Sequence, residues 1–285
     1  MICSVLCDMS GKSFGKPPLP AFVLLFQLLC LVLSWGLPCA GFALTEGETN
    51  TISIYEKVAP SVVNITTTIC EPEFFFCSIP SSGSGSGIVL KENGIIVTNY
   101  HVVENTRTIQ VAFEDGRRLE ADVVGSSPRD DLAVIRVKVG DRPLKAIVFG
   151  DSDRLKVGEK VLAIGNPFGL GRTLTLGTVS MKGRDIRDGD HVLRDLIQTD
   201  ASINPGNSGG ALVNSRGELV GMNTIILSPT GSNVRIGFAI PAGRIEAMAP
   251  GLAEPGRGWV VWIMAAVVAY WFFRRRFRRA YLKMR

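Results

Sequence analysis

Histidine is almost absent, with two in 285 residues, His101 and His191. Two imidazoles cannot build a His-rich metal site, and the chain has no Cys-x-x-Cys or Cys-x-x-Cys-His motif. No metal and no cofactor is therefore expected. Charge is scarce at 20%, while 46% of residues are hydrophobic, which excludes disorder as the main state. The 31 glycines follow no fixed period, so the chain is not collagen-like. Heptads and strong helical repeats are missing too, and charges scattered through the middle argue against a polytopic transporter.

Two stretches lack charge altogether. The first lies between Lys16 and Glu46, with a Leu/Val/Phe-rich core at 21–33. Lys12 and Lys16 precede it, and Gly41-Phe42-Ala43 follows with small residues at −3 and −1. That is the layout of a secretory signal or an uncleaved anchor over 1–45. The second, 258–273, holds Trp259, Trp262, Tyr270 and Trp271. As a helix it would span about 24 Å, short of a hydrocarbon core of about 30 Å. It reads as a short transmembrane helix with interfacial aromatics, reached through a linker at 248–257.

The formal net charge is +5. Residues 274–285 carry seven Arg or Lys and no acid, so the remainder has a net charge of 5 − 7 = −2. The basicity is thus a tail, and no nucleic-acid partner is expected. A basic tail beside an apolar run predicts a cytoplasmic C-terminus, and Lys12 and Lys16 place the N-terminus, if it is not cleaved, on the same side. The intervening domain, 46–247, is then exported, periplasmic or otherwise extracytoplasmic.

Within that domain, short apolar runs are punctuated by Gly, Asn, Asp and Pro. Candidate strands are 62–68, 86–90, 95–99, 109–113, 121–126, 132–137, 160–165, 175–182, 193–199, 211–214, 219–227 and 235–239. Asn93-Gly94 is a hairpin signal, and Asp115-Gly116 and Arg216-Gly217 mark further turns. Many short strands at even spacing predict an all-β barrel or sandwich. Helix is expected only as a short turn after Asn99 and at 242–248. Of six cysteines, only Cys70 and Cys77 fall in the domain, in one expected loop. They are a candidate disulfide in an oxidising compartment, with two free surface thiols as the other reading. Asn64-Ile65-Thr66 is a glycosylation sequon, discounted because it falls in a predicted strand.

Three segments carry chemistry. They are Thr98-Asn99-Tyr100-His101-Val102-Val103, Asp130-Asp131-Leu132-Ala133-Val134 and Asn204-Pro205-Gly206-Asn207-Ser208-Gly209-Gly210-Ala211-Leu212. A serine hydroxyl is a weak nucleophile, so an imidazole must take its proton and a carboxylate must orient that imidazole. Glycines beside the serine let backbone N–H groups turn toward a substrate carbonyl. The turn Gly206-Asn207-Ser208 is the candidate oxyanion hole, with the Gly206 and Ser208 N–H groups as donors. Each segment alone is weak, since a lone His, Asp or Gly-rich turn is commonly structural. Their combination on an all-β background points to acyl transfer.

These segments resemble the HtrA/Deg family of trypsin-like serine proteases. So do Gly165-Asn166-Pro167-Phe168-Gly169, Ile197-Gln198-Thr199-Asp200-Ala201, Gly221-Met222-Asn223-Thr224 and Gly237-Phe238-Ala239-Ile240-Pro241. The resemblance runs from about 53 to 245. It implies two six-stranded β-barrels with the active site between them. His101 would be general base, Asp131 its orienter and Ser208 the nucleophile. Asp130 competes with Asp131, but the family's acid directly precedes Leu-Ala-Val. Residues 223–236 would wall the specificity pocket, with Ile226 favouring small or medium apolar P1 residues; an ordinary core Ile is the alternative. Residues 184–194 resemble the family's activation-sensor loop and also fit a plain solvated loop, in which His191 would be solvated. The resemblance further implies polypeptide substrates and a homotrimer.

One departure stands out. The family commonly carries PDZ domains after Phe-Ala-Ile-Pro, whereas only about seventeen residues separate Pro241 from Trp259. That is too few for a PDZ domain; two anchors would instead hold the site close to the membrane, so substrates are expected to be misfolded or membrane-proximal polypeptides. A catalytically silent, chaperone-like scaffold on the same fold is the competing reading.

Overall fold

The computed structural model describes residues 44–253, apart from 74–75, 167–170, 189–190 and 227–235. Of 69–82, 188, 191, 225 and 226 it describes the backbone alone. The expected membrane segments at both ends fall essentially outside these residues. Among the described residues, no helix is long and apolar enough to cross a membrane.

Twelve strands form two closed six-stranded barrels. The first comprises β1 (Val62–Glu73), β2 (Phe76–Lys91), β3 (Ile95–Thr98), β4 (Thr108–Ala112), β5 (Arg118–Ser127) and β6 (Leu132–Val137). They close in the order β1-β2-β3-β6-β5-β4. The second comprises β7 (Lys160–Gly165), β8 (Thr173–Asp188), β9 (His191–Thr199), β10 (Ala211–Asn214), β11 (Leu219–Ile226) and β12 (Gly237–Pro241). Their order is β10-β11-β12-β9-β8-β7, and every paired neighbour in both barrels is antiparallel.

The alternation along each strand decides where the core sits. In β6, Ala133, Ile135 and Val137 fill the first barrel, while Leu132 and Val134 face out. In β7, Val161 and Ala163 fill the second barrel, while Leu162 and Ile164 face out. The outward sets meet in a third cluster that also takes in Val62, Ile88, Val97, Ala211, Val213, Met222, Phe238 and Ile240. Strands at the seam are therefore apolar on both faces and read as continuous apolar runs. Strand β4, whose outer face is more open, alternates cleanly instead. Burying each Leu or Ile contributes roughly 1.5–3 kcal/mol, so the seam is a structural core in its own right.

Helix α1 (Glu46–Val58) was not expected from the sequence. Only Ile54 and Val58 are buried, too narrow a stripe to register as amphipathic. Tertiary docking holds it: Asn50 Nδ2 donates to Ser215 O at 3.2 Å and Lys57 Nζ to Arg216 O at 3.1 Å. Helix α2 (Tyr100–Val103) is the single turn expected after Asn99. Helix α3 (Ala242–Ala253) runs past 248 and carries Pro250 within it. Its Ile245 and Ala249 pack into the seam cluster.

Two expected loops are hairpins. Strands β1 and β2 reach 73 and 76, so the segment with Cys70 and Cys77 is paired backbone. Cys70 stands opposite Pro80 and Cys77 opposite Pro72; the sulfurs lie outside the described atoms. Likewise β8 and β9 absorb most of 184–194, and His191 pairs with Asp188 rather than lying in a loop. Asn64 is 2% exposed on β1, and its Nδ2 donates to Asn166 O at 2.8 Å. The sequon is inaccessible in the folded domain.

Candidate active site

His101, Asp131 and Ser208 converge on the seam from three different elements. His101 sits in α2, which begins as soon as β3 leaves its barrel. Asp131 follows a single 3-10 turn, Pro128–Asp130, and immediately precedes β6. Ser208 lies in the turn before β10 of the other barrel.

Asp131 adopts left-handed backbone angles, φ 49° and ψ 43°. For a non-glycine residue this costs about 1–2 kcal/mol. Hydrogen bonds hold it there. Its carbonyl accepts from Tyr100 N–H and Asn99 Nδ2, both at 3.2 Å. Its carboxylate accepts from the His101 N–H at 3.1 Å, from His101 Nδ1 at 3.0 Å to both oxygens, and from Thr224 Oγ1 at 2.6 Å. It is 7% exposed. An ionised carboxylate only accepts, so it fixes the His101 proton on Nδ1 and leaves Nε2 as a base. Asp130 does not compete: its carboxylate takes the Ser127 hydroxyl at 2.7 Å.

The Ser208 turn is held by a dense backbone network. Asn207 N–H donates to Asn204 O, Gly210 N–H to Asn207 O, and Gly209 N–H to Asn223 O, at 2.8–2.9 Å. Gly206 and Gly209 have φ of 93° and 81°. A Cβ at Gly209 would strike Ser86 O and Thr98 Oγ1, so only glycine fits there. In a trans peptide, C=O and N–H point oppositely. The Asn207 carbonyl is taken by Gly210, so the Ser208 N–H of the same peptide faces away from that bond. Among the described residues, neither the Ser208 N–H nor the Gly206 N–H donates a hydrogen bond.

The Ser208 hydroxyl donates to the Thr224 carbonyl at 3.0 Å rather than to His101. Catalytic hydrogen bonds of this kind commonly tighten only when substrate binds. Thr224, on β11, thus contacts both Asp131 and Ser208. Sequence reasoning missed it as a site residue, although it ends the Gly221-Met222-Asn223-Thr224 motif. Ile226 ends β11 opposite Gly237. Its side chain and residues 227–235 lie outside the described set, as does the pocket they were expected to wall.

Three comparisons bear on this geometry. Residues 85–222 match the model of the trypsin-like peptidase domain. The periplasmic serine endoprotease DegP of Escherichia coli (strain K12) is 39% identical over 280 residues, covering 81% of this chain and 59% of that protein. This chain thus spans under two thirds of that relative. Among solved structures, the HtrA-type protease AlgW with tripeptide matches with TM-score 0.64 and 41% identity, over 72% of this chain and 64% of that one. Deg5 matches with TM-score 0.61 and 36% identity, over 74% of this chain and 97% of that one.

Proposed function

The chain belongs to the HtrA/Deg family of trypsin-like serine proteases, and from that premise we propose that it is a serine endopeptidase cleaving polypeptides through an acyl-enzyme on Ser208. His101 Nε2 takes the Ser208 proton as Oγ attacks the scissile carbonyl. Asp131 holds the imidazole in the productive tautomer and stabilises the imidazolium. The Gly206 and Ser208 N–H groups receive the oxyanion, and His101 then protonates the leaving amine. Water, activated by the same imidazole, releases the acyl group. The observation that carries this reading is Asp131 bonded to His101 through both oxygens at 3.0 Å, with Thr224 linking the same carboxylate to Ser208.

The finer reading is of an exported protease domain held at a membrane by one or both terminal segments, assembled as a homotrimer and facing misfolded or membrane-proximal substrates. The periplasmic location in the name of the DegP relative supports export. Ile226 selects small or medium apolar P1 residues in this reading, and Cys70 and Cys77 form a disulfide.

One observation favours the silent-scaffold alternative: the Ser208 hydroxyl rests on Thr224 O rather than on His101. A fluorophosphonate probe separates the two. The proposal expects covalent labelling that is lost in Ser208→Ala. A wild-type protein that never labels, with peptide substrates or without, would be the scaffold.

A further inference from the structure

Ser86 is a serine with no solvent exposure whose every polar atom is used. Its N–H donates to Ser208 O at 2.8 Å. Its carbonyl accepts from Thr98 Oγ1 at 2.7 Å. Its hydroxyl accepts from Asn166 N–H at 2.8 Å and donates to Gly206 O at 2.7 Å. Ser86 belongs to β2 of the first barrel; Asn166, Gly206 and Ser208 belong to the second. One hydroxyl therefore ties the first barrel to the turn carrying both candidate oxyanion donors.

The peptide between Gly206 and Asn207 is pinned at both ends. Its carbonyl is held by Ser86 Oγ, and its N–H by Asn204 O at 2.9 Å. The preceding peptide carries the Gly206 N–H and is related to the pinned one only through φ and ψ of Gly206. Glycine is the most permissive residue, so those angles are set by the bonds around them. With φ at 93°, Gly206 sits where the direction of its N–H depends on the pinned peptide staying fixed. Asn166 is held in turn, its N–H by Ser86 and its carbonyl by Asn64 Nδ2 at 2.8 Å. The hydroxyl thus has a fixed donor on one side and acts on Gly206 from the other.

We infer that Ser86 is a positioning residue for the oxyanion hole: its hydroxyl aims the Gly206 N–H and so couples formation of the hole to the docking of the two barrels. The inference rests on Ser208 being the nucleophile. Deleting an oxyanion donor outright lowers kcat by about 10²–10³. Loosening one lowers it by less, so Ser86→Ala is expected to lower kcat by about tenfold to a hundredfold.

The test compares wild type, Ser86→Ala, Ser86→Thr and Thr98→Val in the full chain. The readouts are kcat and KM on a fluorogenic peptide with valine at P1, the rate of fluorophosphonate labelling, and the melting temperature. Ser86→Ala is expected to lower kcat and the labelling rate together, with KM within about threefold. Ser86→Thr, which keeps the hydroxyl, stays within about threefold of wild type. Thr98→Val strips a bond from the same seam but leaves the Gly206 bond intact, so it lowers the melting temperature without lowering kcat. If Ser86→Ala fails to fold, Ser86→Cys fills the same volume with a weaker donor and takes its place. Labelling of Ser86→Ala at the wild-type rate overturns the inference, as does an equal loss of kcat in Thr98→Val. A wild type that does not label at all overturns the nucleophile assignment and the inference with it.

Discussion

The Thr224 hydroxyl donates to Asp131 Oδ2 at 2.6 Å, from β11 of one barrel to the first residue before β6 of the other. The candidate acid thus has donors from both barrels, His101 from its own and Thr224 from the partner. The same threonine accepts the Ser208 hydroxyl on its carbonyl. Separation of the barrels would break the Thr224–Asp131 bond while leaving Ser208 on Thr224.

Replacing Thr224 by valine removes a charge-assisted hydrogen bond of about 1.5–3 kcal/mol from a buried carboxylate. We expect kcat/KM to fall by roughly tenfold to a hundredfold, with activity recovered in Thr224→Ser. Steady-state kinetics on a peptide substrate checks this. A valine variant as active as wild type would mean that His101 alone suffices to hold Asp131.

The two adjacent acids are separable by mutation. Asp131→Asn reverses the preferred imidazole tautomer and is expected to lower kcat by about 10⁴. Asp130→Asn removes only the charge from the acceptor of the Ser127 hydroxyl. It should leave kcat within about threefold, because Asp130 makes no bond to His101. The same loss in both variants would contradict the assignment of Asp131.

Asn64 bridges the barrels by donating to Asn166 O at 2.8 Å, to Ser84 Oγ at 3.3 Å and to Gly85 O at 3.4 Å. Asn64→Ala leaves a buried carbonyl unpaired and should cost about 1–3 kcal/mol of stability. Asn64→Asp should cost more, since it sets a buried carboxylate against the carbonyls of Asn166 and Gly85. Denaturant unfolding of the two variants gives the order, and a more stable aspartate variant would refute it.

Glu218 offers a pH test. The Arg216 guanidinium, bonded to it at 2.7 Å, and then the Asn214 amide hold its carboxyl below the ordinary value. A depressed folded pKa stabilises the fold above the ordinary glutamate value of about 4.3, and that contribution is lost as pH falls through the folded value. Wild type should therefore exceed Glu218→Gln in stability at neutral pH by a small margin, because the pair is solvent-accessible. The margin should vanish in acid. A margin that widened on acidification would contradict the assigned sign.

Much of the fold was legible in the sequence, and the misses share a cause. Every one of the twelve strands was expected because each is a short apolar run bounded by turn residues. The hairpins β1–β2 and β8–β9 were read too short, since their outer halves are polar and Gly/Ser-rich. There, backbone pairing continues past the apolar run that marks each strand. The Ser81-Ser82-Gly83-Ser84-Gly85-Ser86-Gly87 run resembles a linker. In the fold its glycines allow close approach: a Cβ at Gly85 would meet Val102, and one at Gly87 would meet Ile65 and Ile96. Helix α1 escaped notice because two buried residues over thirteen leave almost no periodic signal.

By itself the sequence determined an all-β barrel or sandwich and the candidates His101, Asp131 and Ser208, while its resemblance to the HtrA/Deg family implied the two-barrel class and the choice of Asp131 over Asp130. These follow from local pattern and from motifs a few residues long. Only tertiary structure decided that Thr224 joins Asp131 to Ser208, and that Ser86 joins β2 to Gly206. The Thr224–Asp131 and Ser86–Gly206 bonds span residues far apart in the chain and from different barrels. Nothing in the chemistry of a serine or threonine within a strand announces its partner until the barrels dock.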